Sequence, residues 1–124
     1  MRSLYHPSET DFRLSNILHA LSDPIRLSIV RDLARTGSRS CGTFDLPVAK
    51  STASHHFRIL REAGVIRMQP MGTQYVNSLR RTELDSRYPG LLAAILNSED
   101  PGVREETLGA TGEGEVCREV DGSN

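Results

Sequence analysis

Leu14, Ile17, Leu18 and Leu21 recur at i, i+3, i+4 and i+7, the spacing of one helical face, and predict an amphipathic helix over about residues 11–21. Ser22-Asp23-Pro24 ends it and begins another. Asp23 can accept from the free N–H groups of a new first turn, and Pro24 suits a position that needs no intrahelical donor. Ile25, Ile29 and Leu33 supply the buried row of this second helix, and Gly37 its end. A short segment over 39–48 follows, stopped by Pro47. Residues 51–63 predict a third helix, with Ser51 as N-cap and Gly64 just past the last turn. Ala53, Phe57 and Leu60 share one face of it, while Ser51, Thr52, His55, Arg58 and Glu62 point broadly the other way. Val65 to Met68 then reads as a strand, 69–73 as a turn and Tyr75 to Leu79 as the returning strand of a hairpin. Past Arg80-Arg81 a short helix can start at Thr82, and Pro89-Gly90 separates it from the apolar run Leu91 to Leu96. That run is too short to be stable alone and must pack on its own domain or on a second copy.

Length and composition narrow the class. A chain of 124 residues, 37% hydrophobic and 25% charged, suits one small domain. No apolar stretch approaches the roughly 20 residues of a membrane span, and the N-terminus lacks the apolar core of a signal peptide. Two cysteines, Cys41 and Cys117, are too few for a secreted disulfide scaffold, so a reducing, cytoplasmic setting is expected. The expected organisation is a flexible arm over 1–11, a folded domain over 12–96 and an acidic disordered tail over 97–124.

Charge is unevenly spread. Residues 1–90 hold 13 Lys and Arg against 8 Asp and Glu, whereas 91–124 hold 2 against 8. Most of the positive excess lies in 50–81, where Lys50, Arg58, Arg61, Arg67, Arg80 and Arg81 face Glu62 alone. Such a stretch suits a polyanion or, more simply, a solvated basic face.

Two helices, a short segment, a donor-faced helix and a two-stranded hairpin, in that order, predict a mainly α chain with a small β-hairpin, arranged as a winged helix-turn-helix. A helix fits the DNA major groove, and a hairpin beside it reaches the neighbouring backbone or minor groove. The segments Ser22-Asp-Pro-Ile-Arg-Leu27, Ser51-Thr-Ala-Ser-His-His-Phe-Arg-Ile-Leu-Arg-Glu-Ala-Gly-Val-Ile66 and Gly72-Thr-Gln-Tyr-Val-Asn-Ser-Leu79 stand in the order and spacing of the ArsR/SmtB-type transcriptional repressors. Over about residues 12–96 the chain resembles that family. The resemblance implies a cytoplasmic homodimer that represses transcription from an inverted-repeat DNA operator and answers to an effector.

Carried over by position, the resemblance places Ser51, Thr52, Ser54 and His55 near base edges or adjacent phosphates, and His56 and Arg58 near the backbone. Arg67, Thr73 and Gln74 come from the wing. His56 borders the packed face and suits a hydrogen-bonded support as well as a DNA contact; Arg61 and Glu62 read as a solvated pair. Many members of the family sense metals, yet Cys41 has no second cysteine close in sequence and no histidine follows His56. No metal and no cofactor is therefore expected. The effector, small-molecule or redox, is not named by the sequence. Cys41 reads as a lone buried thiol or a partner of Cys117, and if exposed as a thiol switch.

An enzyme is disfavoured. Ser54, His55 and His56 diverge around a helix, and the glycines of 109–114 lack the lysine, strand and helix of a phosphate loop. A winged helix serving as a protein-interaction module is the alternative, and it would show no preference among DNA sequences.

Overall fold

The computed structural model describes residues 3–98, and within them the helices and hairpin predicted above are present with one added strand. Helix α1 spans Leu14–Ala20, preceded by a single 3-10 turn at Glu9–Asp11. Helix α2 runs Pro24–Thr36, and its start follows the predicted chemistry: the Asp23 carboxylate accepts from the backbone N–H of Ile25 at 2.8 Å and of Arg26 at 3.1 Å. Gly37, at φ 91°, turns the chain into strand β1, Ser38–Ser40. Helix α3 covers Lys50–Ala63, strands β2 and β3 cover Ile66–Met71 and Gln74–Leu79, and helices α4 (Arg81–Arg87) and α5 (Leu91–Asn97) close the domain. The acidic tail and Cys117 lie outside the described residues.

The sheet order is β1-β3-β2, all antiparallel. β1 has no apolar alternation to announce it. Ser38, Arg39 and Ser40 join by backbone pairing opposite Ser78, Asn77 and Val76. The hairpin is also longer than expected. Gln69, Pro70 and Met71, read from the sequence as part of the turn, are paired in β2 opposite Val76, Tyr75 and Gln74. Only Gly72 and Thr73 remain as a two-residue turn, with Gly72 at φ 64°. Proline is tolerated there because β2 is an edge strand, with no second neighbour to require its missing N–H.

One core holds these elements together. Ile17 and Leu21 of the α1 region, Ile29, Val30 and Leu33 of α2, and Ala53, Phe57 and Leu60 of α3 are buried with Ile66, Met68 and Tyr75 of the sheet. Phe44, in the connection before α3, meets Phe57 edge to face at 5.2 Å. The predicted α1 row divides: Ile17 and Leu21 face this core, but Leu14 and Leu18 are 42% and 46% exposed.

Residues 3 to 11, within the segment expected as a flexible arm, are bound along the domain through their backbone. Arg61 Nε donates to Tyr5 O at 3.1 Å, Arg80 Nη1 to Pro7 O at 2.7 Å and Arg87 Nη1 to Glu9 O at 2.6 Å. His6 Nε2 accepts from the Met68 backbone N–H on the outer edge of β2 at 3.0 Å. Phe12 completes the attachment, buried beneath the Arg80 guanidinium and against Gly64.

Gly64 therefore answers two demands at once. It ends α3 in the left-handed region at φ 95°, and a Cβ there would overlap the Phe12 ring. Gly72 has a similarly positive φ but open space around it. Gly64→Ala should cost about 2–4 kcal/mol and Gly72→Ala about 1 kcal/mol. Denaturant midpoints of the two variants check this, and equal losses would show that the Phe12 contact contributes nothing.

Candidate nucleic-acid interface

Helix α3 presents the face on which the sequence analysis centred. Ala53, Phe57 and Leu60 are fully buried, whereas Ser51, Thr52, His55, Arg58 and Glu62 are exposed, together with Lys50 at the start. At 1.5 Å per residue the stripe from Ser51 to Glu62 is about 16 Å long. The helix begins one residue earlier than predicted. Ala49 is the N-cap and offers no side-chain bond, so Ser51 lies within the first turn, exposed, instead of capping it. Ser54 and His56 are buried on the inner side.

His56 is held by an arginine for which no role was read from the sequence. The Arg26 guanidinium is buried where three elements meet. Its Nε donates to Ala20 O at 2.7 Å and Nη2 to His19 O at 3.2 Å, closing the C-terminal end of α1, and its Nη1 lies 3.0 Å from His56 Nδ1. A guanidinium can only donate, so Nδ1 accepts and the imidazole proton sits on Nε2. Burial holds His56 below its ordinary pKa of 6.5. The Asp23 carboxylate, 3.9 Å away, pulls the other way, and the Arg26 and His55 charges add to the depression. One planar fork thus joins the end of α1 and the start of α2 to the inner face of α3. The sequence signal for it was present in Ser22-Asp-Pro-Ile-Arg26, but nothing there named His56 as the far partner.

Within the basic stretch, three of the six cations act inside the molecule. Arg61 is buried, bonded to Tyr5 O and to Glu62 Oε2 at 3.4 Å, so its pair with Glu62 is not the fully solvated one expected. Arg80 is buried and shares Glu83 with Arg67: Arg80 Nη2 and Arg67 Nη2 lie 3.1 and 2.9 Å from Glu83 Oε2. The Arg80 hydrogen bond, reinforced by both arginine charges and opposed by burial, lowers the Glu83 pKa. Arg67, assigned to the wing's DNA contacts, is accordingly half-buried and ion-paired. Lys50, Arg58 and Arg81 remain exposed, without an ion pair among the described residues. Thr73 and Gln74 are exposed at the wing tip.

Ahead of α3, Asp32 accepts from Arg35 and from Arg39, whose guanidinium also covers the Phe44 ring at 4.7 Å. Asn77 Nδ2 donates to Arg39 O at 3.3 Å and toward Cys41 Sγ at 3.2 Å. Cys41 is buried, and Cys117, with which it could pair, lies outside the described residues. Among the described residues no three His, Cys, Asp or Glu side chains gather so as to hold a metal ion, and no helix is long and apolar enough to cross a membrane.

Residues 21–69, from the end of α1 through most of β2, match the family described as a helix-turn-helix domain. The chain is 40% identical over 85 residues to the uncharacterized HTH-type transcriptional regulator YceK of Bacillus subtilis, covering 65% of this chain and 84% of that protein. It is 38% identical over 63 residues to the uncharacterized HTH-type transcriptional regulator MJ1325 of Methanocaldococcus jannaschii, covering 49% and 71%. The chain belongs to the helix-turn-helix transcriptional regulators.

Helix α3 of this regulator is thus seated on a neutral histidine, which gives the fold a defined pH dependence. His6 is also held below 6.5, by burial and by the Arg61, Arg67 and Arg80 charges, against a backbone hydrogen bond at Leu4 that raises it. For both groups the unfolded chain takes up its proton first as pH falls. The stabilisation is complete above pH 6.5 and declines below it, until the folded values are passed. His56→Asn, which keeps an acceptor for Arg26, should flatten part of the decline between pH 7 and 5.5. Denaturant titrations at the two pH values check it, and a wild-type stability rising on acidification would contradict it.

Proposed function

We propose that this regulator is a homodimeric repressor of the ArsR type that binds an inverted-repeat operator, α3 in the major groove and the β2–β3 wing alongside. The observation that carries the reading is the uninterrupted exposed row Ser51, Thr52, His55 and Arg58 on a helix whose opposite face is locked into the core. Hydroxyl and imidazole groups suit base edges, and Lys50 and Arg58 suit phosphates. Thr73 and Gln74 add uncharged donors at the wing. Ser54 and His56, buried, support the helix from beneath, and Arg67 acts through its pair with Glu83, helping to fix the first wing strand.

Dimerisation is supported by the apolar surface left uncovered. Leu14 and Leu18 on α1 are exposed, and Leu91, Ile95 and Leu96 on α5 are only partly buried. Pairing two copies over α1 and α5 would cover this surface and set two recognition helices about 34 Å apart, one turn of DNA. Cys41 is the candidate redox-responsive position of this reading, since its sulfur lies beside Asn77, just ahead of α3.

The test recovers bound fragments from genomic DNA and measures variants on the resulting operator and on a random duplex. Thr52→Ala and His55→Ala should weaken operator preference more than general binding, whereas Arg58→Ala should weaken both and flatten the salt slope by about one unit. Sedimentation at micromolar concentration should give a dimer. Equal binding to every duplex would replace the repressor reading with that of a protein-interaction module.

A further inference from the structure

Among the described residues four large hydrophobic side chains are exposed: Tyr5, Leu14, Leu18 and Met71. Leu14 and Leu18 belong to the α1 surface already assigned to dimerisation. Met71 stands apart, 61% exposed at the end of β2, opposite Gln74 and next to the Gly72-Thr73 turn.

The tip has two features that a merely solvated turn does not require. It carries no charge: from 69 to 74 the residues are Gln, Pro, Met, Gly, Thr and Gln. The nearest cation along β2, Arg67, is tied to Glu83. It is also stiff and narrow, since Pro70 fixes its own φ beside Met71 and the turn closes in two residues. The hairpin leaves α3 through Gly64 and Val65 alone, so the tip is carried in fixed relation to the α3 donor face. A wing that drew its affinity from displaced counterions would carry a cation at its end; this one carries a thioether beside the uncharged Thr73 and Gln74.

We infer that Met71, beside the donors Thr73 and Gln74, gives the wing an apolar contact with DNA in the minor groove next to the major-groove segment read by α3, with Pro70 as its backing. This rests on the reading of α3 as a DNA-binding helix and assigns the wing a different mode of contact. An unbranched, polarizable side chain suits the groove's sugar walls, and methionine and proline are among the residues that wedge against base steps. The contact releases no counterion, so its share of affinity is independent of salt. It favours operators whose flank carries an easily unstacked pyrimidine–purine step over those with a stiff one.

The experiment uses the full chain, an operator duplex selected by it from a randomised library, and a second duplex with the flanking step made stiff. Met71→Ala should lower affinity for the selected duplex about fivefold to tenfold, the effect of losing partial burial of one methionine, with the salt slope unchanged. It should also erase the difference between the two flanks, while Met71→Leu keeps both. Met71→Arg should steepen the slope by about one unit. Arg58→Ala is the control for the underlying reading. If it flattens the slope while Met71→Ala changes affinity less than twofold, the wing contact is wrong and the DNA-binding helix stands. If neither variant changes binding, both fail. A Met71→Ala protein that loses its dimer in sedimentation would assign the side chain to a second copy and overturn the inference.

Discussion

The fold turns on one guanidinium. Arg26 closes the carbonyl end of α1 and fastens the inner face of α3, and the Asp23 carboxylate that caps α2 holds the Arg26 backbone N–H. Removing it would leave the Ala20 carbonyl and a buried imidazole nitrogen without the donor they share, while His19 O would keep Ser22, a cost greater than that of an ordinary surface contact. Helix α3 is held by this junction together with the Phe44–Phe57 contact. Both are made of buried side chains, so residues on the outer face of α3 can vary without disturbing its position.

Arginine recurs in the same capacity elsewhere. Arg61, Arg80 and Arg87 each bind a backbone carbonyl of the N-terminal segment. The fork geometry explains the choice: one planar head can bond a carbonyl and a carboxylate together, as Arg80 does with Pro7 O and Glu83. Positive charge counted along the sequence therefore overstated the charge available at the surface. Half of the cations in 50–81 are spent on internal structure.

Sequence periodicity revealed the helices because each buries a stripe, and it revealed the outer and inner faces of α3 for the same reason. It did not reveal β1, which joins the sheet by backbone pairing and buries no apolar row. Nor did it separate the two sides of the α1 row, since Leu14 and Leu18 have the same chemistry as Ile17 and Leu21 and differ only in what packs over them. Pro70 looked like a turn because proline usually marks one; an edge strand removes the conflict. The contacts of His6, Arg26 and Asn77 cross 62, 30 and 36–38 residues, distances over which a local pattern carries no information.

The attachment of the N-terminal segment has a bearing on how this chain can change. Three of its bonds are to main-chain oxygens, which every residue type carries, so the side chains at Tyr5 and Glu9 can drift without loosening it. Its length cannot drift in the same way. Trimming the segment would leave the buried heads of Arg61 and Arg80 without the carbonyls they hold and uncover Phe12 beside Gly64. Relatives with freely varied residues but a fixed number of them before α1 are what this mode of attachment permits.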